Sequence, residues 1–236
     1  MSETAGGAST AVVTGAAGGI GSAVVDVLLA DGLRVASVDI APTRAEGAYT
    51  ITADLGDPQQ CNSAIDQAAA HLGHVGCLVN CTGYLSSKTL VDTMPDEVER
   101  VLNATLLAPM NAARSVLPAM LKTGDGIIVN IGSVWALGGG ASRTVYAAAK
   151  HGVLGFSRSL AAELRGTGVT VVTLSPGPVR TEMLERPGVR ELYRDEDLLE
   201  PAEVAQLVRW ILQAPRGLLH GANIVCGRSQ PALFVN

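Results

Sequence analysis

Residues 10–30 read Thr-Ala-Val-Val-Thr-Gly-Ala-Ala-Gly-Gly-Ile-Gly-Ser-Ala-Val-Val-Asp-Val-Leu-Leu-Ala, and this stretch decides the fold class. The apolar, β-branched run at 11–13 predicts a buried strand, and the residues after Gly21 have the apolar periodicity of a helix. A strand, a glycine-rich turn and a helix in this order form the setting of a dinucleotide-binding fingerprint. The free N–H groups and the dipole of such a helix stabilise a pyrophosphate. We therefore predict that the chain binds a dinucleotide at this turn.

The rest of the chain alternates apolar strand candidates with helical segments, which is typical of a parallel sheet covered by helices on both faces. We expect an α/β fold, a single Rossmann-type doubly wound parallel sheet of about seven strands flanked by helices. Residues 1–7 are expected to be a disordered N-terminal segment, followed by one catalytic domain at 8–236 with a short substrate lid near 182–200. Strands are expected near 11–13, 35–38, 49–52, 78–80, 127–131, 169–174 and 224–225, and helices near 20–30, 58–72, 96–121, 145–164 and 201–212.

Composition argues against several functional classes. No uninterrupted apolar run reaches the ~18 residues of a membrane span, and the N-terminus lacks the basic start and apolar segment of a signal peptide. A formal net charge of -5 without a basic cluster argues against nucleic acid and anionic membranes as partners. The 4 cysteines show neither a Cys-x-x-Cys pair nor zinc-like spacing, so we expect reduced thiols, no metal site and a cytoplasmic protein.

A second motif, Tyr146-Ala-Ala-Ala-Lys150, places a phenol and an ammonium four residues apart. On a helix these two side chains share one face. The ammonium favours the phenolate, so we expect it to lower the pKa of Tyr146 from its usual value of roughly 10. Ser133, thirteen residues upstream, adds a hydroxyl that can bond the oxygen that gains or loses the proton. The pattern predicts a proton-transfer site.

Asp39 ends the second predicted strand, about twenty residues after the glycine turn. A carboxylate there can accept hydrogen bonds from an adenosine ribose and would repel a 2′-phosphate. No Lys or Arg lies in the glycine turn, and Arg44 lies too far along the following loop to serve as a phosphate clamp. The sequence therefore favours NAD over NADP.

Taken together, the motifs resemble those of the short-chain dehydrogenase/reductase family over nearly the whole chain. The resemblance implies strand order 3-2-1-4-5-6-7 and NAD-dependent interconversion of a secondary alcohol and a ketone by hydride transfer. Cys81 and Thr82 depart from the Asn-Ala pair that is more usual in the family. The matching motifs, in family order, are Thr-Gly-x-x-x-Gly-x-Gly at 14–21, Asp39, Asp54-Leu55, Asn80-Cys81-Thr82-Gly83, Asn103, Ser133, Tyr146-x-x-x-Lys150 and Pro176-Gly177 with Thr181.

The same resemblance implies a role for each matching residue. Tyr146 would be the general acid/base, Lys150 would lower its pKa and bind the nicotinamide ribose, and Ser133 would position the substrate oxygen. Asn103 would hold a water that links Lys150 to solvent. The implied cofactor-binding residues are Gly15, Gly18, Gly19, Ile20, Gly21, Asp39, Asp54, Leu55, Asn80, Gly83, Tyr146, Lys150, Pro176, Gly177, Val179 and Thr181.

Arg143 lies three residues before Tyr146, at a position that often lines the substrate pocket in the family. Its guanidinium suits a carboxylate, so an anionic substrate is one interpretation. The other is a solvated arginine or one paired with acids of the lid such as Glu182, Glu185 or Asp195. The full set of expected substrate residues is Tyr84, Val134, Trp135, Arg143, Met183 and Leu184.

Three functions remain open on the sequence alone. The leading one is an NAD-dependent alcohol dehydrogenase or ketone reductase. A dihydrodiol dehydrogenase that forms a catechol is the second, because the short connection between Asp39 and Asp54 is similar to that of 2,3-dihydro-2,3-dihydroxybenzoate dehydrogenases. A non-catalytic NAD-binding regulator is the third, although the complete catalytic set argues against it. Apolar residues on the helices at 96–121 and 145–164, with the resemblance, lead us to expect a homotetramer, with a dimer as the alternative.

Overall fold

A computed structural model describes residues 9–43, 45–186 and 188–228 of the chain. The segment at 1–7 that we expect to be disordered and the loop residue Arg44 lie outside the described residues. The strands are β1 (Thr10–Thr14), β2 (Arg34–Asp39), β3 (Tyr49–Thr52), β4 (Cys77–Asn80), β5 (Gly126–Ile131), β6 (Val169–Pro176) and β7 (Asn223–Cys226). The helices are α1 (Gly19–Ala30), α2 (Pro58–Leu72), α3 (Pro95–Leu102), α4 (Ala108–Thr123), α5 (Thr144–Glu163) and α6 (Pro201–Gln213).

All seven strands join one parallel sheet in the order β3-β2-β1-β4-β5-β6-β7. This confirms the predicted α/β doubly wound fold and its strand order. The order reverses between β1 and β4, so the carboxyl ends of these strands border a crevice, which is where open parallel sheets bind ligands.

Successive side chains of a strand point to opposite faces of the sheet. Because the strands are apolar on both faces, helices cover both faces. Val12 belongs to the core on one face, where it joins apolar residues of α2, α4 and α5. Its neighbour Val13 belongs to the core on the other face, with α1 and α6. The near-continuous apolar strands of the sequence are therefore explained by burial on two sides. None of the described helices is both long and apolar enough to cross a membrane.

The structure corrects one predicted helix. The segment at 96–121, expected as one helix, is divided by a π-helical turn at Asn103–Leu107. Within this turn the Ala108 N–H donates to the carbonyl of Asn103, five residues back. Pro109 follows immediately, and a proline has no N–H and its ring clashes with the carbonyl four residues earlier in a regular α-helix. The wider turn accommodates that proline, and π-helical turns often occur at functional sites.

The segment between β6 and α6 folds over the carboxyl end of the sheet. Its side chains Leu184, Val189 and Leu198 are buried together with Leu85 from the loop after β4. Arg180 fixes the segment by ion pairs to Asp195 and Glu200, at 3.1 and 2.9 Å. This segment (residues 180–186 and 188–200), which contains the lid expected near 182–200 and is called the lid from here on, therefore has its own small apolar core.

Candidate active site

The glycine turn packs directly on the end of β4, and two of its glycines allow this. Gly15 has a φ of +66°, and a Cβ there would lie 2.6 Å from the backbone of Cys81 and Thr82. A Cβ at Gly21 would lie 2.1 Å from the Gly15 carbonyl oxygen. No other residue type fits these positions without moving the backbone. The two glycines thus let the turn pack closely on β4 and on the first turn of α1.

An elongated cavity of about 410 Å³ runs from the glycine turn along the sheet edge. The orphan N–H groups of the first turn of α1 have no partner within the helix. The Thr82 hydroxyl oxygen, in the cavity wall, is buried and has no hydrogen-bond partner in the described structure. These features fit a dinucleotide. The cavity is lined by ten of the predicted cofactor residues: Gly15, Gly18, Gly19, Ile20, Gly21, Asp39, Asp54, Leu55, Gly83 and Thr181.

The carboxylate of Asp39 is fixed at the far end of this cavity. Its two oxygens accept hydrogen bonds from the backbone N–H groups of Ala17 and Ala41, at 2.9 and 3.0 Å. Each carboxylate oxygen can accept a further bond, so the group remains available to ribose hydroxyls. Among the described residues that line the cavity, the one basic residue is Arg186, which belongs to the lid. Asp39 therefore places a fixed negative charge on the wall of this cavity.

A buried relay of amides and hydroxyls holds the strands in place beneath the site. Thr14 donates to Asn80 at 3.0 Å, Asn80 donates to Asn130 at 2.8 Å, and Asn130 donates to Ser157 at 2.9 Å. The relay joins β1, β4, β5 and α5. Asn80 lines neither cavity in the described structure, so its contribution is to fix the elements that carry the glycine turn and the catalytic helix.

Tyr146 and Lys150 lie one turn apart on α5, and Ser133 follows the end of β5. The Tyr146 and Ser133 side chains line the same cavity, and the Ser133 hydroxyl acts to lower the pKa of Tyr146. Lys150 is buried, and its Nζ donates to the Ile131 carbonyl at 2.7 Å. An ammonium has three donors, so Lys150 keeps two for a ligand. The structure thus brings these three predicted residues to one place.

We expected Lys150 to lower the pKa of Tyr146. For the protein without a ligand this prediction is wrong. Burial raises the pKa of Tyr146 to about 12, against the smaller lowering effects of the Ser133 hydrogen bond and the Arg143 charge. Burial also lowers the pKa of Lys150 to about 8. Removal from water disfavours both charged forms, and here this outweighs the pairing that the sequence suggests.

Asn103 forms no hydrogen bond with Ser133, Tyr146 or Lys150 in the described part of the chain. It is exposed at the start of the π-helical turn. Its role as the holder of a bridging water stays a prediction. Thr105, two residues on, is the fully buried member of this turn and donates to and accepts from the backbone of Tyr84.

A second, smaller cavity of about 100 Å³ is lined by Ser133 and Tyr146. Four of the six predicted substrate residues line it: Trp135, Arg143, Met183 and Leu184. The predicted cofactor residues Ile20, Pro176, Gly177, Val179 and Thr181 line it too. The sequence analysis missed Leu85, Val189 and Tyr193, which the lid core brings to this wall. Tyr193 could have been predicted, because it is an aromatic residue in the segment that we expect to be the substrate lid.

Two expected substrate residues are not among the residues that line this cavity. The Tyr84 ring is covered by two guanidinium groups, those of Arg100 at 4.1 Å and Arg186 at 4.7 Å from its centre. Val134 is buried in a short 3-10 turn after β5. Both residues are neighbours, in the sequence, of residues that line the cavity. Proximity in the sequence does not determine the direction in which a side chain packs.

Arg143 is neither solvated nor paired with an acid of the lid, which were the two alternatives to an anion-binding role. Its side chain is only 2% exposed, so it is not solvated. Glu185 and Asp195 of the lid pair with Arg190 instead, and Glu182 is exposed and forms no ion pair with Arg143. The expectation of a solvated or lid-paired arginine is therefore wrong.

Comparison with known proteins agrees with this architecture. The family model described as short chain dehydrogenase matches residues 9–190. The chain is 32% identical over 232 residues to nodulation protein G of Azospirillum brasilense, covering 91% of this chain and 94% of that protein. It is 35% identical over 224 residues to the 3-oxoacyl-(acyl-carrier-protein) reductase FabG of Salmonella typhimurium, covering 90% and 84%. The ligand-free aldohexose dehydrogenase of Thermoplasma acidophilum shares the fold, with a TM-score of 0.84 at 23% identity over 92% of each chain.

Proposed function

Since this chain belongs to the short-chain dehydrogenase family, whose members are oxidoreductases of nicotinamide cofactors, we propose that it interconverts a secondary alcohol and a ketone with NAD. One observation carries the proposal. The small cavity with Ser133 and Tyr146 adjoins the elongated cavity, and both are lined by Ile20, Thr181 and Met183. A substrate in the first would therefore meet the end of a dinucleotide in the second.

In this proposal the protein moves the proton and orients the reactants. A bound nicotinamide supplies the hydride chemistry. Tyr146 takes the proton of the alcohol oxygen, or gives one to the ketone oxygen, while Ser133 holds that oxygen by a hydrogen bond. The two remaining Lys150 donors bind ribose hydroxyls, and its charge stabilises the phenolate as it forms.

The proposed preference for NAD rests on Asp39. Its carboxylate is held by two backbone N–H groups at the end of the cavity, and no described lining residue there carries a positive charge. A 2′-phosphate at this end would be repelled by that fixed negative charge.

A dihydrodiol dehydrogenase is the second candidate, and a structural observation favours it. Residues 41–43 and 45–48, which connect β2 to β3, form turns and no helix. This agrees with the short connection that the sequence shares with 2,3-dihydro-2,3-dihydroxybenzoate dehydrogenases. A non-catalytic regulator is disfavoured, because it would have no use for Tyr146 and Ser133 on a cavity next to the dinucleotide position.

Incubation with NAD and a panel of secondary alcohols and dihydrodiols separates these functions. Formation of NADH with a ketone product supports the leading proposal, and formation of a catechol supports the second candidate. Binding of NADH with no turnover of any alcohol, diol or ketone would identify a regulator. The panel includes cyclic, aromatic and carboxylated alcohols, because the small cavity has an apolar wall and one buried cation.

A further inference from the structure

Arg143 carries a buried positive charge that no described carboxylate neutralises. The side chain is 2% exposed, and it takes part in none of the ion pairs of the described residues. A guanidinium does not lose its proton in a protein, so burial cannot be relieved by neutralisation. An isolated buried charge is strongly unfavourable unless an anion meets it. What adjoins this charge is the small cavity, which Arg143 itself lines.

The two terminal nitrogens of Arg143 are in different situations. Nη1 donates to the Ser87 hydroxyl and to the Ser142 carbonyl, the latter at 2.8 Å. Ser87 in turn donates to the Gly188 carbonyl of the lid at 3.2 Å. Nη2 is buried and has no hydrogen-bond partner in the described structure. One nitrogen therefore fixes the group, and the other retains two unused N–H donors that a bound acceptor would satisfy.

The backbone around Arg143 adds to this arrangement. Ser142, the preceding residue, has a φ of +58° and is the one described residue other than glycine in this left-handed region. Such strain persists where surrounding structure enforces it, and it concentrates at functional sites. Arg143 is also the N-cap of α5, a 20-residue helix whose N-terminal end favours negative charge.

We propose that Arg143 is the anchor for a substrate carboxylate, so that the enzyme acts on a small oxo acid or the corresponding hydroxy acid. This inference rests on the proposed function and names its substrate class. Arg143, the N-cap of α5, lines the same small cavity as Ser133 and Tyr146, so a molecule bound to Nη2 can present a carbonyl to Tyr146. The carboxylate is unchanged in the reaction: the carbonyl carbon gains a hydride as NADH becomes NAD, and the oxygen gains the Tyr146 proton.

The charge and size of the site narrow the class. One guanidinium is neutralised by one negative charge, so a monoanionic carboxylate fits better than a dianionic phosphate, which would leave a buried negative charge. Leu85, Leu184 and Val189 supply an apolar wall. With a cavity of about 100 Å³, the carbon skeleton is a short chain or a single ring.

Binding of benzoate and benzamide to the NADH-bound protein tests the anchor without turnover. The two compounds have nearly the same shape and differ in charge. Titration calorimetry should show that the unmodified protein prefers benzoate about ten-fold or more, the value of a charge-assisted hydrogen bond. Arg143→Met should abolish the preference. Arg158→Met, which changes an exposed arginine on the same helix, should keep it. Equal binding of the two compounds by the unmodified protein overturns the proposal.

Thermal unfolding separates an anchor from a structural arginine. Arg143→Met removes an uncompensated buried charge, so the Tm of the free protein should be unchanged or higher. If Arg143→Met fails to fold, Arg143→Lys replaces it in the titrations. This variant keeps the charge, so it should bind benzoate more weakly than the unmodified protein and still prefer it over benzamide. Loss of stability combined with an unchanged preference for benzoate would show that Arg143 has a structural role only.

Steady-state kinetics with oxo acids of three to eight carbons and their methyl esters then distinguishes this inference from the proposed function. For Arg143→Met, KM for the acid should rise about 10- to 100-fold, while kcat/KM for the ester changes little. If esters and acids react equally and Arg143→Met alters both alike, the proposed function stands and the anchor is overturned. If the Arg143-dependent preference for benzoate is found but no acid, ester or alcohol is turned over, the anchor stands and the proposed function fails.

Discussion

The Nζ of Lys150 lies 5.8 Å from the ring centre of Tyr146, one helical turn away on α5. At this separation the buried ammonium donates to the Ile131 carbonyl and does not hold the phenol as a phenolate. The pKa of Tyr146 stays raised, to about 12, and that of Lys150 falls to about 8, because burial acts on both. The phenol of Tyr146 is therefore protonated near neutral pH in this structure, and in the proposed reaction the positive charge of a bound nicotinamide would act to lower its pKa.

The lowered pKa of Lys150 predicts a pH dependence of stability. In the unfolded chain the lysine keeps its ordinary value of 10.5, so between about pH 8 and 10.5 the unfolded state binds more protons than the folded state. The Lys150 contribution to stability should therefore rise with pH across this window, and its penalty below pH 8 is about 3 kcal/mol in order of magnitude. Burial raises the pKa of the Cys77 and Cys81 thiols to about 12 and acts in the opposite sense above pH 9, so the Lys150 contribution is the difference between the unmodified protein and a variant without this lysine. Urea unfolding of the ligand-free protein at pH 7.5 and pH 9.5 (about 0.5 below and 1.5 above that pKa) measures it.

Lys150→Met provides the control for this experiment, since it removes the titrating group and keeps a side chain of similar length. The rise in unfolding free energy from Lys150 should be absent in this variant. An identical pH profile in both proteins would show that the ammonium is not desolvated in the folded state.

Tyr146→Phe removes the transferable proton and keeps the ring. We expect kcat to fall about 100- to 10,000-fold, because that is the usual contribution of a positioned acid or base. NADH affinity should be nearly unchanged, as measured by fluorescence titration. Tyr49→Phe is the matched control, since that tyrosine stacks on His71 away from the cavities. Near-normal turnover by Tyr146→Phe would remove Tyr146 from its role.

Asp39 should determine cofactor choice through its charge. The unmodified protein should have a higher kcat/KM with NAD than with NADP, and Asp39→Ala should narrow the gap. Because the carboxylate also accepts bonds from Ala17 and Ala41, Asp39→Asn is the cleaner change, since it keeps one acceptor oxygen and loses the charge. Equal use of both cofactors by the unmodified protein would contradict the assignment.

Assembly is expected to be a homotetramer. Leu107 and Met110 are 40% and 37% exposed around the start of α4, next to the exposed end of the π-helical turn. Apolar side chains left in solvent on a regular helix are suited to a symmetric contact with a second copy. Sedimentation at micromolar concentration should give a tetramer, with a dimer as the alternative. Met110→Glu should shift the distribution of oligomers to smaller species. If the unmodified protein is a monomer, the predicted assembly is wrong.

The sequence was sufficient for the features that depend on local pattern. Strand positions and their order follow from apolar runs and the family motifs, and α2 begins and ends where the pattern predicts, at Pro58 and Leu72. Asp57 caps that helix by accepting from the Gln59 and Gln60 N–H groups. Capping and glycine turns are encoded within a few residues, so their effect is visible without a structure.

Features that depend on tertiary packing were harder to predict. The buried state of Arg143 required the Ser87 loop and the lid to close around it, and these segments are far apart in the chain. The pKa of Tyr146 depends on how much water the lid excludes from the phenol. The spacing of residues in the sequence does not predict this exclusion of water. The π-helical turn at Asn103 did have a local signal in Pro109, although a proline there is equally compatible with a kink or a helix start.

Transfer of a deuterium label tests the central claim most directly. A secondary alcohol that is turned over, labelled with deuterium at the carbinol carbon, is incubated with the protein and NAD, and the NADH formed is analysed by mass spectrometry. The account predicts that the reduced cofactor carries one deuterium per ketone formed, and that Tyr146→Phe forms almost none. Reduced cofactor without deuterium, or no reduced cofactor with any alcohol although NADH binds, would contradict hydride transfer at this site.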